Sequence, residues 1–570
     1  MSIKKNKTLI FCLFLVLHLS CGTMKKQAYK EVVVNNNCAI VTGHPEATKI
    51  GAEVLRKGGN AIDASLATQL ALAVCFPRAG NIGGGGFMIY REKSGNNYTL
   101  DFREKAPIQS SKNMYLNKSK EVIDSLSTYG HLSIAVPGTI DGIFEAHTQF
   151  GSLTINEIFN PAIQLAENGF CINEKQAELF NYYKNNFKKY NPNNNYLVKE
   201  TNWNAGDTLI QKDLANTLRT IRDYGRDSFY NGLLTEKIIN ELGEKSILVK
   251  EDFETYQSVW REPIKCTINN YNIISMPPPS SGGVAICQLL EMANYYNFDI
   301  QKHNNVMYIH ALSEMEKLVY ADRAKYLGDT DFVQVPISDL LKKEYNYARF
   351  NSINFDSIYS SNNVEHGEFV LPPESEETTH FSIIDNEGNA VSVTTTLNTN
   401  FGSKVFVNNL GFLLNNEMDD FSSKPGSPNT YGLIGSEANA IEPQKRMLSS
   451  MSPTIVEKNN KLFLVLGSPG GSTIITSIFQ TIMNIMVFNM DVQSAVDKPR
   501  FHHQWLPNHI FIEKNGFPQS TIDSLKSIGH RIKERSNIGH VNAILMNKKI
   551  KTGADKRGDN SGLELYVPIN

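Results

Sequence analysis

Residues 353–377 (INFDSIYSSNNVEHGEFVLPPESEE) separate two parts of the chain with different patterns. This segment is polar, acidic and proline-containing, and it lacks the apolar periodicity of the helical region before it, so it predicts an exposed loop or linker. Directly behind it, residues 380–384 and 390–396 alternate between apolar and polar side chains around the turn 385–389 (DNEGN). Any fold of this chain must therefore start two antiparallel strands immediately after an exposed acidic linker.

Two helices are predicted near the start of the first part. Residues 45–57 carry apolar side chains at helical spacing and stop at Gly58, which suits a left-handed C-terminal cap. Residues 61–76 (AIDASLATQLALAVCF) are apolar around the whole helix circumference. They predict a buried helix, because a surface helix would keep one polar face.

A glycine run at residues 82–88 (IGGGGFM) precedes two predicted strands, 88–91 and 98–102. It is not a dinucleotide-binding fingerprint, because that motif joins a strand to a helix. Two interpretations remain open: a flexible bend, or a close approach of the backbone to a site.

Between residues 150 and 350 the apolar spacing is mainly helical, as in residues 306–324, and predicts a helical layer. In the second part, a predicted strand at 462–466 ends in a glycine turn, 467–472 (GSPGGS), and an apolar helical run follows at 474–487. A strand, a glycine turn and a helix in this order often form a site.

The composition is that of a globular chain, with 41% hydrophobic and 20% charged residues. The formal net charge of -2 provides no positive field for nucleic acid or an acidic membrane surface. Outside the N-terminal segment the cysteines show no CxxC spacing, which predicts neither a zinc site nor a disulfide framework. Cys75 and Cys287 lie in apolar runs and are expected to be small buried side chains. These cysteines are Cys38, Cys75, Cys171, Cys266 and Cys287.

The N-terminus has the pattern of an export signal: lysines before residue 8, an apolar run at 9–17, and small residues around Cys21. The run is too short for a permanent span, which needs ~20 apolar residues. Cys21 resembles a bacterial lipoprotein cleavage site, although His18 stands where that pattern prefers leucine. Lipidation of Cys21 and ordinary signal cleavage both remain open, and both predict a periplasmic protein or one anchored by lipid to a bacterial membrane.

Six motifs, in this order along the chain, resemble the γ-glutamyltranspeptidase family. The resemblance extends from about Cys38 to Leu565. The motifs are 101–104 (DFRE), 378–382 (TTHFS), 394–399 (TTTLNT), 415–421 (NNEMDDF), 445–453 (KRMLSSMSP) and 467–472 (GSPGGS).

The resemblance implies an α+β fold, a four-layer αββα sandwich of the N-terminal nucleophile hydrolase type. It also implies an inactive precursor that cleaves itself between Glu377 and Thr378. After a signal peptide at 1–21, the products are a large subunit, 22–377, and a small subunit, 378–570. The two chains are expected to form a heterodimer interwoven in one fold.

Cleavage would give Thr378 a free α-amine, whose reference pKa of ~7.7–8.0 lets it accept the hydroxyl proton. From the residues alone, a threonine at a strand start is usually structural, because β-branched residues favour strands. The resemblance implies that the Thr396 hydroxyl contacts the nucleophile and that Gly470 and Gly471 form the oxyanion hole. Asn398 is expected to help hold the substrate, sharing a strand face with Thr396 by the period of two.

A γ-glutamyl group carries an α-carboxylate and an α-ammonium. The resemblance assigns the carboxylate to Arg103, whose guanidinium suits bidentate binding, with hydrogen bonds from Ser449 and Ser450. It assigns the ammonium to Glu417 and Asp420, two carboxylates that offset its desolvation. Without the resemblance, a surface salt bridge of Arg103 with Asp101 or Glu104 is the default interpretation.

Residues 424–432 (KPGSPNTYG) resemble a loop that covers the pocket in many family members, with Tyr431 as the gate residue. A lid favours small substrates such as glutathione over long poly-γ-glutamate. The expected activity is γ-glutamyl transfer to water, amino acids or peptides, without a cofactor or a metal. The alternatives are a poly-γ-glutamate hydrolase, a glutaryl or cephalosporin acylase on the same scaffold, and a non-catalytic peptide-binding lipoprotein.

Overall fold

The computed structural model describes residues 36–123, 125–191, 195–358 and 378–568. The described residues belong to one compact unit. The predicted signal with Cys21 and the cleavage residue Glu377 lie outside the described residues. No helix in the described ranges is both long and apolar enough to cross a membrane.

The described residues contain helices α1–α16 and strands β1–β20, numbered here along the chain. The helices are α1 Pro45–Arg56, α2 Ala61–Cys75, α3 Thr139–Phe150, α4 Ile155–Asn168, α5 Glu174–Tyr190, α6 Lys212–Tyr224, α7 Asp227–Tyr230, α8 Leu233–Leu242, α9 Lys250–Glu254, α10 Gly282–Asn294, α11 Val306–Tyr326, α12 Ile337–Leu340, α13 Lys343–Asn351, α14 Ile474–Met486, α15 Val492–Asp497 and α16 Gln519–Ser527. The strands are β1 Cys38–Thr42, β2 Gly85–Arg91, β3 Asn97–Asp101, β4 Phe170–Cys171, β5 Thr208–Leu209, β6 Val259–Arg261, β7 Ile264–Ile268, β8 Tyr271–Ser275, β9 Thr378–Ile384, β10 Ala390–Thr396, β11 Phe406–Val407, β12 Phe412–Leu413, β13 Thr454–Lys458, β14 Lys461–Gly467, β15 Phe501–His502, β16 Ile510–Glu513, β17 Ile532–Arg535, β18 Asn542–Met546, β19 Ile550–Ala554 and β20 Ser561–Leu565.

Two large antiparallel sheets form the centre of the fold. One has seven strands in the order β20-β1-β9-β10-β2-β3-β6, and the other has six in the order β19-β18-β14-β13-β8-β7. Apolar residues from both sheets, including Ile384 and Val465, pack in a shared core between them. Burial of both faces explains why β9 and β10 are buried along their whole length.

Helices cover the outer face of each sheet. Helices α1 and α2 pack on the seven-stranded sheet in one core, and α10 and α14 pack on the six-stranded sheet in another. Every residue of α2 is buried, as its apolar circumference predicted. The four layers are therefore helix, sheet, sheet and helix, which confirms the predicted αββα sandwich.

The region between residues 150 and 350 differs in part from the helical layer predicted for it. It contains the expected helices, but β6, β7 and β8 also lie in it and complete the edges of the two large sheets. These strands are short and partly exposed, and β6 and β8 pair with β3 and β13, which are distant in sequence. Their local pattern is too weak to indicate strands by itself.

The cysteine spacing predicted no disulfide framework, but one disulfide is present among the described residues. Cys266 on β7 and Cys287 on α10 are joined by a disulfide, with their Cα atoms 6.0 Å apart. The two residues meet only because α10 packs over β7, a contact that spacing along the sequence does not reveal. Cys75 is buried and unpaired as predicted, and Cys171 is exposed.

Removing this disulfide is expected to lower stability. It closes a loop with a sequence separation of 21 residues, so the double variant Cys266→Ala/Cys287→Ala should lose about 3 kcal/mol of unfolding free energy. Thermal unfolding with and without reductant measures the effect. Reductant should lower the thermal midpoint of the parent and of the control Cys171→Ala, but not that of the double variant. An unchanged midpoint of the parent in reductant would contradict the prediction.

Candidate active site

Strands β9 and β10 place two threonines opposite each other at the centre of the seven-stranded sheet. Thr378 is the first residue of β9 and Thr396 the last residue of β10, and the two are cross-strand partners. Phe381 belongs to the core under α1 and α2. Because side chains alternate along a strand, Thr378 and His380 face the other way, toward the six-stranded sheet.

His380 is the nearest histidine to Thr378 along the chain, but its environment does not suit a base. Burial lowers the pKa of His380 to about 3, so the imidazole is neutral at physiological pH. Its two nitrogens are engaged by the hydroxyls of Thr394 (2.9 Å) and Ser382 (3.0 Å). A proton acceptor for Thr378 must come from elsewhere, as the predicted α-amine would provide.

A cavity with about 550 Å³ of atom-free space opens in front of Thr378. It brings together side chains from β9, β10 and the segments around residues 103, 420 and 450, which are far apart in sequence. All the predicted catalytic and substrate residues except Gly470 line it. They are Arg103, Thr378, Thr396, Asn398, Glu417, Asp420, Tyr431, Ser449, Ser450 and Gly471.

Gly470 and Gly471 form the turn between β14 and α14. Their φ angles are +132° and +54°, which favour glycine, and a methyl group on Gly471 would lie 2.6 Å from the Tyr431 ring. Neither amide N–H finds an acceptor among the described residues. Of these two neighbouring donors, Gly471 lines the cavity with Thr378, and unpaired backbone N–H groups are what an oxyanion hole requires.

Asn398 reaches the cavity for a different reason from the one predicted. β10 ends at Thr396, and Asn398 has a φ of +75°, so the two residues do not share a strand face. Asn398 is held instead by its own N–H, which donates to Thr396 Oγ1 (2.7 Å), and by its Nδ2, which donates to the carbonyl of Asn416 (3.0 Å). Within the described residues, Thr396 makes no hydrogen bond to Thr378.

Arg103 forms a buried ion cluster at the cavity wall. Its Nη1 lies 2.5 Å from Glu417 Oε2 and 3.5 Å from Glu104 Oε2, and its Nη2 lies 2.5 Å from Asp420 Oδ2. Only 1% of the Arg103 side chain is exposed. A surface salt bridge is therefore excluded, although Glu104 is one of the partners.

Burial is the main cause of the pKa shifts of the three carboxylates around Arg103. Burial raises the pKa of Glu104 to about 8 and that of Glu417 well above its ordinary value, while Arg103 opposes both shifts. Burial also raises the pKa of Asp420. The cluster thus favours an additional positive charge, either a proton or a ligand ammonium.

Tyr431 closes the cavity from one side. Its hydroxyl donates to the carbonyl of Asn398 (2.7 Å), and its own carbonyl accepts from Gln504 Nε2 (3.1 Å). Asn429 Nδ2 donates to Asp420 Oδ1 (3.3 Å), which ties the same loop to the acidic segment. The loop at 424–432 therefore lies over the cavity as a lid.

Comparison with known proteins agrees with this geometry. A sequence profile described as gamma-glutamyltranspeptidase matches residues 47–565. The chain belongs to the γ-glutamyltranspeptidase family. The glutathione hydrolase proenzyme of Pseudomonas sp. (strain A14) is 42% identical over 546 residues, 95% of this chain and 94% of that protein. The protein of the same name from Escherichia coli (strain K12) is 42% identical over 505 residues, 88% and 86% of the two chains.

Solved structures confirm the fold and the enzyme class. A cephalosporin acylase from Bacillus halodurans superposes with a TM-score of 0.81 at 25% identity, covering 95% of this chain and 99% of that chain. A chain of the Helicobacter pylori γ-glutamyltranspeptidase gives a TM-score of 0.55 at 40% identity, covering 56% of this chain and 93% of that chain. The protein is an enzyme of the γ-glutamyltranspeptidase family.

Arg323 and Asn429 are among the residues that line the γ-glutamyltranspeptidase cavity without having been predicted as site residues. Arg323 comes from the last turn of α11, and Asn429 comes from the lid. Arg323 lies within an apolar helical pattern that predicted a helix but no site residue. The only sign of a functional role in the sequence was the presence of a charged residue in this apolar pattern. Asn429 lay inside the predicted lid but was not separated from its neighbours.

One group of described residues has the composition of a metal site, away from the γ-glutamyltranspeptidase cavity. It comprises His310, Glu314 and His530, whose ligand atoms lie within 4.8 Å of one another. His310 Nδ1 and His530 Nε2 are hydrogen-bonded at 2.7 Å, closer than the ~3.3 Å that two imidazoles keep on a tetrahedral zinc. Glu314 pairs with Lys317 at 2.7 Å. His310 Nδ1, His530 Nε2 and Glu314 are thus bound directly to protein groups, while His310 Nε2 is buried without a hydrogen-bond partner among the described residues.

Glutamine at position 417 tests the charge of the Arg103 cluster. Because burial raises the pKa of Glu417 above 4.5, ionising it costs folding free energy as the pH rises past about 4.5. Glu417→Gln should therefore match the parent near pH 4 and gain about 1 kcal/mol or more of relative stability at about pH 8. Thermal midpoints across this range measure the difference.

Glu457→Gln is the matched control for Glu417→Gln. Glu457 forms a buried pair with Arg91 at 2.7 Å, and Arg91 has no second carboxylate partner among the described ion pairs. Glutamine there weakens a one-to-one pair, so this variant should be less stable than the parent at about pH 8. A Glu417→Gln variant that also lost stability at the higher pH would show that the cluster needs all three carboxylates.

Proposed function

We propose that the protein is a self-processing γ-glutamyl transferase and glutathione hydrolase. The observation that carries this proposal is the content of one cavity. It is lined by a threonine at the start of a strand, by Gly471 of the glycine turn, whose amide is unpaired among the described residues, and by an arginine with an excess of buried carboxylates. Nucleophile, oxyanion donors and a binding site for a zwitterionic amino-acid head are thus in one place.

Processing would come first. The Thr378 hydroxyl attacks the carbonyl carbon of Glu377, and the peptide bond between them is replaced by an ester through the threonine oxygen. Hydrolysis of this ester releases the Glu377 carboxylate and leaves Thr378 with a free hydroxyl and a free α-amine. The products are residues 22–377 and 378–570, which remain together as a heterodimer.

Catalysis would then use the same oxygen. The α-amine of Thr378 accepts the hydroxyl proton as the oxygen attacks the γ-carbonyl of the donor, and it returns that proton to the departing amine. The amides of Gly470 and Gly471 stabilise the negative charge on the carbonyl oxygen. The resulting γ-glutamyl ester on Thr378 is released by water, an amino acid or a peptide.

The acidic excess around Arg103 would select the γ-glutamyl head. Glu417 and Asp420 offer carboxylates to the α-ammonium, and Ser449 and Ser450 offer hydroxyls to the α-carboxylate beside Arg103. A glutaryl side chain lacks the ammonium and would leave the acidic excess unpaired. For this reason we propose γ-glutamyl compounds over the acyl groups of the related cephalosporin acylase, and the closed lid favours small ones such as glutathione.

We further propose that the N-terminal segment exports the protein. Its basic start, apolar run and Cys21 support either a lipid anchor at Cys21 or a cleaved signal, with the enzyme in the periplasm in both cases. Metabolic labelling with a fatty acid, compared between the parent and Cys21→Ser, distinguishes them. Label in the parent alone supports the lipid anchor.

A denaturing gel and a substrate pair test the enzymatic proposal. Purified protein should give two bands, the smaller beginning at Thr378 by N-terminal sequencing. It should release p-nitroaniline from γ-glutamyl-p-nitroanilide at least about tenfold faster than from glutaryl-p-nitroanilide, since the latter leaves buried polar groups unpaired. A single full-length band, or a preference for the glutaryl compound, would refute the proposal.

A further inference from the structure

Arg323 is a buried arginine in the active-site cavity without an assigned role. It lies on α11 and lines the cavity with Thr378, and only 5% of it is exposed. Burying a guanidinium is costly unless a carboxylate or several hydrogen bonds compensate it. Its burial in this position therefore points to a function in the cavity.

The two arginines of the cavity differ in their charge balance. Arg103 lies within 4.0 Å of three carboxylates. Arg323 has no carboxylate within that distance among the described residues, and its hydrogen bonds there go to two hydroxyls, Ser281 Oγ at 3.0 Å and Ser450 Oγ at 3.2 Å. Asp420 interacts electrostatically with Arg323 at longer range, without a direct ion pair. A guanidinium has five N–H donors, and these two hydrogen bonds use only two of them.

The hydrogen bonds of Arg323 hold the carboxylate side of the cavity in place. Ser281 receives the Arg323 Nε–H and donates its own hydroxyl to the carbonyl of Ser449 (2.7 Å), as does its backbone N–H (2.8 Å). Because Arg323 Nη2 donates to Ser450 Oγ, the Ser450 hydroxyl proton must point elsewhere. It donates to no described residue, and Ser450 lines the cavity.

We propose that Arg323 determines specificity for the α-carboxylate of the γ-glutamyl head, by orienting Ser450 as a donor and by providing beside it a positive charge that is not engaged in a direct ion pair. Arg103, paired with Glu417 and Asp420, joins this carboxylate region to the ammonium region. The assignment rests on the proposed γ-glutamyl function. It explains how a cavity lined by two carboxylates, Glu417 and Asp420, attracts a substrate that itself carries a carboxylate.

Three p-nitroanilides separate the two charges of the substrate head. The γ-glutamyl compound carries both charges, the glutaryl compound only the carboxylate, and the 4-aminobutanoyl compound only the ammonium. Arg323→Met should raise KM for the first two about 10- to 100-fold, as expected for lost charged hydrogen bonds. It should leave kcat within about threefold, since this binding is equal in ground and transition states, and the 4-aminobutanoyl kcat/KM should not change.

Conservative and matched variants exclude a general structural effect. Arg323→Lys keeps the charge without the fork and should recover part of the loss. Ser450→Ala should raise KM for the same two substrates. Because the two residues act together, Arg323→Met should raise KM less in the Ser450→Ala background than in the parent. Arg349→Met is the control: Arg349 bonds Asp322 and the carbonyl of Leu318 and does not line the cavity.

The outcomes distinguish this inference from the proposed function. If the parent does not turn over γ-glutamyl-p-nitroanilide, the proposed function is wrong. If the parent is active but Arg323→Met loses equally on all three substrates, or loses nothing, the assignment of Arg323 is wrong and the function stands. If Arg323→Met fails to self-process, activity on the three p-nitroanilides is compared for Arg323→Lys and Ser450→Ala instead. Equal losses of activity on all three substrates in these variants would overturn the assignment.

Discussion

Thr378→Ala is expected to give a folded, uncut chain without γ-glutamyl activity. The same oxygen is required for the cut and for the acyl-enzyme, so one substitution removes both. Loss of a nucleophile lowers kcat by at least about ten-thousand-fold. Folding should be little affected, since Thr378 is the first residue of β9 and alanine removes only a small part of its side chain. The expected loss of unfolding free energy is about 1 kcal/mol.

A gel, an activity assay and circular dichroism together check this result. Thr378→Ser keeps a hydroxyl and should still cut itself, more slowly. Thr379→Ala is the matched control, because Thr379 is the adjacent threonine and its side chain points to the opposite face of β9. It should process normally. Two chains from Thr378→Ala would instead mean that an external protease makes the cut.

The parts of the fold that could be predicted carry strong local patterns. Residues 380–384 of β9 and 390–396 of β10 alternate between apolar and polar side chains, and α2 is apolar on all sides, so each was evident without knowledge of its partners. β6 has three residues and depends on pairing with β3 across about 160 positions of sequence. Such a strand is defined by its partner, which a local pattern does not contain.

The same distinction applies to the active site. Thr378, Arg103 and the glycine pair lie in compact motifs, so their resemblance to a known family placed them together. Arg323 stands alone in α11, and its importance arises only where α11 passes Ser281 and Ser450. The Cys266–Cys287 disulfide was missed for the same reason, because helix packing brings the two residues together.

The structure also changes the meaning of the Arg103 prediction. From the sequence, Arg103 was expected to bind a carboxylate of the substrate. In the structure it already binds Glu417 and Asp420, with Glu104 at a longer distance. It therefore has a second role, which is to compensate charges that burial would otherwise make unstable.

Arg103→Ala is accordingly expected to weaken both substrate binding and the fold. Losing charged hydrogen bonds to the head should lower kcat/KM for γ-glutamyl-p-nitroanilide about 100-fold or more, mostly through KM. Leaving buried carboxylates without their cation should cost about 3–5 kcal/mol. Self-cleavage should persist, because the cut involves Thr378 and not the head-binding groups.

The pH dependence and a matched variant separate the two effects of Arg103→Ala. Without Arg103 the pKa values of Glu104, Glu417 and Asp420 rise further, so these groups are neutral at acidic pH and their ionisation penalises the fold as the pH rises. The deficit in thermal midpoint should thus be small near pH 4 and grow toward pH 8.

Arg91→Ala is the matched variant, because it breaks the buried Arg91–Glu457 pair outside the cavity. It should lose stability but keep the KM of the parent. If Arg103→Ala alone fails to cut itself while Arg91→Ala cuts normally, Arg103 is required to build the processing site as well as to bind substrate.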